Sequence, residues 1–137
     1  MTILTKLRKS MLKLSKLDQT TIVDLLNLEK QGAQGYLFRQ ISRFFSIIPE
    51  QINQMEEALN RKDFEKIKHY AHKINGFSST IGVKDLTKNC IEIEKLCEIE
   101  DLEKIKHLCK EINRNFQQNI QELKIVSKIS KKSMRDG

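Results

Sequence analysis

Residues 63–83 read DFEKIKHYAHKINGFSSTIGV, and this stretch decides the fold. Phe64, Ile67, Ala71, Ile74, Ser78 and Ile81 recur at three- and four-residue intervals, so a helix of 3.6 residues per turn gathers them into one stripe facing a core. The helix starts at Asp63, and Gly82 supplies a residue that tolerates a left-handed backbone at the end. Ala71 and Ser78 mark the middle of the stripe. His72 projects about 130° from that centre, beside the groove and toward solvent. Gly76 follows one turn later on the same face, although a glycine inside a helix costs about 1 kcal/mol relative to alanine. Space compensates for that cost, because without a side chain at 76 a partner can approach the imidazole closely. Taken alone, the pair also fits an ordinary surface histidine beside a tolerated glycine.

The same periodicity extends outward in both directions. Upstream, Leu37, Ile41, Phe44, Ile48, Ile52, Met55 and Leu59 hold one helical phase, with Pro49 expected to kink the helix near Ile48 before it ends around Asn60. Downstream, a helix from about Lys84 turns Leu86, Cys90, Ile93 and Cys97 inward. A last helix from near Asp101 does the same with Leu102, Ile105, Cys109, Ile112, Phe116, Ile120 and Leu123. Asp18 can cap a short helix carrying Ile22, Leu25 and Leu26, which Gly32 and Gly35 end. Before it, Leu4, Leu7, Met11 and Leu14 fall on one face and Lys6, Lys9, Lys13 and Lys16 on another, a basic amphipathic helix either packed or lying on a surface. Short connections between amphipathic helices make antiparallel neighbours. The fold predicted is all-α: an up-down four-helix bundle with one or two additional N-terminal helices. Residues 1–17 are expected to be a basic N-terminal segment or linker, 18–124 the bundle domain, and 125–137 a basic C-terminal tail.

Composition agrees and narrows the function. The chain has 137 residues, enough for one domain, and one proline and five glycines leave little material for the turns of an all-β fold. The net charge of +7 sits at the ends: residues 1–16 carry +5 and 124–137 carry +4, which leaves −2 for 17–123. The folded part is therefore nearly neutral and nucleic acid is not expected as a partner. Basic ends read as solvated segments, with nucleic acid or an anionic membrane as lesser readings. Lysines interrupt every apolar run near the N-terminus, so no secretory signal is expected, and no apolar stretch approaches the about 20 residues of a membrane span. Three cysteines, an odd number without a signal, point to a reducing compartment, so a cytoplasmic location is expected.

The run from Ala71 to Val83, followed by Leu86, Cys90, Ile93 and Glu94, resembles the histidine-containing phosphotransfer (HPt) domain family of bacterial phosphorelays. That family's motif is Ala-His-x-Leu-Lys-Gly-x-Ser, a hydrophobic-Gly pair, then Leu-x3-Cys-x2-Leu-Glu. Ala71, His72, Ile74, Gly76, Ser78, Ile81, Gly82, Leu86, Cys90, Ile93 and Glu94 stand at its positions, with isoleucine for leucine twice. The resemblance spans roughly residues 18–123 and includes Phe44, Phe45 and Pro49. No single element is specific, but the combined spacing is.

The resemblance implies a carrier rather than an enzyme, accepting a phosphoryl group on Nε2 of His72 from a receiver-domain aspartate and passing it to another response regulator. It implies that Glu94 bonds the other ring nitrogen and fixes the tautomer. An unperturbed imidazole has a pKa of about 6.5, so its neutral form is a competent nucleophile near neutrality. The receiver supplies the acidic pocket and Mg²⁺, so the chain is expected to need no cofactor and no metal, and to act as a monomer. The partners implied are the receiver domains of a hybrid sensor kinase and of a response regulator. Where the family usually has lysine three residues after the histidine, Asn75 stands here and offers only neutral hydrogen bonds, about half as strong as charge-assisted ones. Lys68, about 40° from His72 around the helix, and Lys73, about 100° away, are candidates to replace that charge. The candidate site is thus His72 supported by Lys68, Lys73, Asn75, Gly76, Ser79 and Glu94. Two alternatives remain: an interaction module of the same fold without phosphotransfer, and a basic helical module binding nucleic acid or membrane through its ends.

Other chemistry-bearing residues have plainer readings. His69 could pair with His72 at a metal only if further ligands converged there, whereas Cys90, Cys97 and Cys109 fall at core positions. His107 reads as a surface residue. Phe77 either belongs to the docking surface or covers the adjacent helix.

Overall fold

The structure, a computed structural model, describes residues 16–32 and 34–136. Among the described residues five helices follow one another: α1 (Gln19–Lys30), α2 (Tyr36–Asn60), α3 (Phe64–Thr80), α4 (Lys84–Glu98) and α5 (Leu102–Asp136). α2 packs on α3, α3 on α4, α4 on α5 and α5 back on α2, which closes the predicted four-helix ring; α1 leans on α2 as an additional N-terminal helix. The second possible N-terminal helix, carrying Leu4 to Leu14, lies outside the described residues.

The apolar phases place the core where expected. Leu37, Ile41, Phe44, Ile48, Ile52, Met55 and Leu59 are all buried along α2, which remains one helix although Pro49 lies inside it and cannot donate to the carbonyl of Phe45. Phe44 sits at the centre, its ring 6.2 Å from Phe77 of α3 and 6.1 Å from Phe116 of α5. The Asp18 carboxylate accepts from the N–H of Thr21, as predicted, and the Asp63 carboxylate caps α3 by accepting from that of Lys66.

Gly82 does more than end α3. Its φ is +78°, and a Cβ there would come within 3.1 Å of Thr21 Cβ and 3.2 Å of the Asp18 carbonyl oxygen. Only glycine admits both the backbone and the approach. That approach lets the Gly82 carbonyl accept the N–H of Asp18 and pairs Leu17 with Val83 in an isolated antiparallel bridge, both side chains fully buried. Leu17, expected at the end of a linker, is therefore a core residue that pins the entry of α1 to the α3–α4 turn.

The C-terminus departs from expectation. Residues 125–137 were to be a basic tail, but α5 continues to Asp136, and Val126 and Ser130 are completely buried. The physical reason is a polar contact made across the fold. Glu29 of α1, only 5% exposed, accepts the N–H of Leu37 at 2.8 Å and the hydroxyl of Ser130 at 2.8 Å and 3.0 Å. One carboxylate thus caps α2, closes the α1–α2 turn and anchors the end of α5. Nearby, Glu122 accepts the backbone N–H of Lys16 at 2.9 Å.

All three cysteines are free and buried. Burial pushes the Cys97 thiol up to about 11 and Cys109 up to about 12, and raises Cys90 further still. The native protein at pH 8 should therefore react slowly with a disulfide reagent such as DTNB, and rapidly at all three thiols once unfolded. The unfolded chain releases these protons first, so stability should fall as the pH rises above the ordinary thiol value of 9.0. Fast labelling of the native protein at pH 8 would contradict this burial.

Candidate functional site

α3 and α4 run antiparallel, and the hydroxyls of Ser78 and Thr87 bond across them at 2.8 Å. Ser78 is fully buried and also donates to the Asn75 carbonyl, so the inner face of α3 is fixed on α4 at this level. Ala71 and Ile74 are buried on the same face, which leaves the intervening His72 on the outer edge.

There the His72 side chain is 76% exposed, while Glu94, facing it from α4, is only 19% exposed. Nδ1 of His72 lies 2.8 Å from Glu94 Oε1. A carboxylate is an acceptor only, so the proton of a neutral ring resides on Nδ1 and the lone pair on Nε2, which points away from Glu94. The half-buried carboxylate steadies the ring, and Nε2 is the nitrogen left with a lone pair.

One turn along, Gly76 is exposed and a Cβ built there meets nothing within 4 Å. Nothing inside the protein requires this glycine, since its φ is ordinary and the space is open. The carbonyl of Gly76 accepts the hydroxyls of Ser79 at 3.1 Å and Thr80 at 2.9 Å. Ser79 is thus turned back on its own helix rather than toward His72.

The two candidate cations differ. Lys68 donates to Glu98 of α4 across the helix pair. Lys73 borders a shallow depression of about 240 Å³ with Gln40, Gly76, Phe77 and Thr80, on the side of α2. Asn75 is half-buried. Phe77 covers the adjacent helix, its ring against Phe44 and under the guanidinium of Arg43, whose carbon lies 5.6 Å from the ring centroid. Among the described residues no three His, Cys, Asp or Glu side chains converge as metal ligands. His69 is exposed and stacks edge-on against Tyr70.

Two features escaped sequence reading. Glu98 completes a second rung beside the His72–Glu94 one, and could have been found: if 94 faces 72 in an antiparallel pair, 98 faces 68. A groove of about 420 Å³ on the α4 side of the site is bordered by Ser79, Lys84, Lys88, Ile91 and Lys95, with Ile91 39% exposed. The Lys84, Lys88, Ile91 and Lys95 spacing of four, three and four was legible as one solvent-facing stripe, but nothing in the sequence set it beside Ser79.

The Hpt domain family model matches residues 40–125. Histidine-containing phosphotransfer protein 5 of Arabidopsis thaliana is 26% identical over 83 residues, covering 58% of this chain and 53% of that protein. Histidine-containing phosphotransfer protein 2 of the same plant is 28% identical over 89 residues, covering 63% and 56%. The chain thus spans little more than half the length of these curated relatives. The crystal structure of the histidine-containing phosphotransfer protein ZmHP2 from maize shares the fold, with a TM-score of 0.81 at 18% identity over 94% of this chain and 95% of that one. No described helix is long and apolar enough to cross a membrane. The family match takes in most of α2, all of α3 and α4 and the first two-thirds of α5, well over half of the sequence, and on that ground the chain belongs to the Hpt domain family.

Proposed function

We propose that the chain is a phosphorelay carrier that takes a phosphoryl group onto Nε2 of His72 from a receiver-domain aspartate and delivers it to the receiver of another response regulator. The observation that carries this reading is the Nδ1 bond to Glu94, which leaves Nε2 unprotonated and exposed beside the open space over Gly76. The Nε2 lone pair forms the N–P bond as the P–O bond of the aspartyl phosphate breaks, and its electron pair leaves on the aspartate. The ring keeps its Nδ1 proton and so becomes cationic, and the Glu94 carboxylate offsets that charge at 2.8 Å. Delivery is the same step reversed toward a second aspartate.

Such a step asks mainly for in-line positioning and charge neutralisation. Mg²⁺ and the acidic pocket belong in this proposal to the receiver, and the chain contributes the nucleophile and a docking face. That face runs along α3 through His72 and Gly76, with a groove of α4 at its flank whose lining sets Lys84, Lys88 and Lys95 against Asp18 and Glu92, a net positive pattern that suits an acidic receiver.

The test is transfer from phosphorylated receiver domains to wild type and to His72→Gln. Wild type should acquire acid-labile, alkali-stable label, and the variant none, with its helical circular dichroism unchanged. Label that persists in His72→Gln and disappears in His69→Gln would overturn the assignment. Binding to receivers without any label would favour the interaction module instead.

A further inference from the structure

Lys68 and His72 stand one turn apart on the same face of α3, and Glu98 and Glu94 stand one turn apart opposite them on α4. The result is two parallel rungs, Lys68 to Glu98 and His72 to Glu94, with the second closing at 2.8 Å. Only the His72 rung has a role in phosphoryl transfer as derived above. The charged side chains flanking His72 on these helices are Lys68 and Lys73 of α3 and Glu94, Lys95 and Glu98 of α4. Of the cations, Lys68 is the one tied to a carboxylate in the same ladder, and Asn75 brings no charge.

The Lys68 rung is built to exchange partners. Its side chains are 48% and 62% exposed, so neither is held by packing, and an ion pair in water is weak. Residues four apart on a helix have Cβ atoms about 5–6 Å from each other, within reach of a lysine stem. The ammonium is held in its charged form by Glu98 first and also by the field of Glu94, which places it within range of the carboxylate that His72 itself uses. A phosphoryl group carries about −1.5 to −2 charge at pH 7 and three strong acceptor oxygens. Such a group on His72 competes for the ammonium better than a single exposed carboxylate does.

We infer that Glu98 holds Lys68 in reserve and that Lys68 moves to the phosphoryl group when His72 is phosphorylated, which makes Glu98 a positioning residue whose competition limits the stability of the phosphohistidine. This rests on the carrier reading given above. In the resting protein the pair keeps the ammonium one turn from the imidazole with its charge balanced by Glu98. In the phosphorylated protein Lys68 supplies at the preceding turn the charge that Asn75 does not.

The test needs no receiver. Potassium phosphoramidate serves as donor: Nε2 displaces ammonia, forming the N–P bond as the donor's P–N bond breaks. The second ionisation of the phosphoryl group is then followed by ³¹P NMR. A neighbouring cation favours the dianion and lowers that pKa. Lys68→Gln should weaken the acid, and Glu98→Gln, which frees the ammonium, should strengthen it, each about two- to fivefold. Lys68→Arg should behave as wild type. In the Lys68→Gln background, Glu98→Gln should have little further effect, because Glu98 acts through Lys68. If Lys68→Gln leaves the ionisation unchanged, or Glu98→Gln acts equally with and without Lys68, the inference is overturned while label on His72 upholds the carrier. A wild-type protein that takes no phosphoryl on His72 removes both.

Discussion

Replacing Gly76 by glutamine should lower phosphotransfer by about a hundredfold, the scale expected when reacting groups are displaced by about 1 Å from in-line geometry. The fold should not suffer. The Cβ enters open solvent with nothing within 4 Å, and glutamine is the better helix former by most of a kcal/mol. The melting temperature should therefore hold or rise slightly while transfer collapses, a combination that separates clearance for a partner from any internal role. The side chain at 76 projects on the face that carries His72, one turn away, where in the proposed transfer a receiver brings its aspartyl phosphate against Nε2. Phosphoramidate, being small, should still phosphorylate His72 in the variant. Normal transfer from a receiver would mean that the glycine has no steric purpose.

Deletion of residues 125–137 should destabilise the protein by about 4 kcal/mol. About 1.5–3 kcal/mol comes from the fully buried Val126. About 1–3 kcal/mol comes from leaving the buried Glu29 carboxylate without the Ser130 hydroxyl. For a chain of this size that corresponds to a fall in melting temperature of roughly 10–20 °C. Ser130→Ala should reproduce only the polar part, because Glu29 keeps the N–H of Leu37. A truncated protein that melts with the full chain would contradict the anchoring of α5 on α1.

That deletion also shows where sequence reading stopped. Helical spacing of Leu, Ile and Phe located all four bundle helices, and the combined motif around His72 picked out the edge on which His72 faces Glu94, because both are local patterns. The extension of α5 was not legible. Its lysines at 124, 128, 131 and 132 dominate the composition, and two of the residues it buries near its end are polar, Glu122 and Ser130. Their burial is tolerable only because partners arrive from elsewhere: the backbone of Lys16 for Glu122, and Glu29 for Ser130. Asn119 is buried where periodicity favoured the adjacent Ile120, which is only half-buried. Phe77 could not be assigned from sequence because the contact that decides it, with Phe44, spans two helices. Lys68 was picked out by its angle to His72, but its tie to Glu98 depends on the register of α3 against α4, which no single helix reveals.

The most direct test of the central claim is the chemical form of the phosphohistidine. Two-dimensional ¹H–¹⁵N correlation of the imidazole resonances, recorded on protein phosphorylated by a receiver domain, distinguishes phosphate on Nε2 from phosphate on Nδ1. Glu94 accepts from Nδ1, so a single isomer is expected: His72 phosphorylated on Nε2 with the Nδ1 proton retained. Phosphate on Nδ1, or on a histidine other than His72, would contradict the arrangement from which the function was derived.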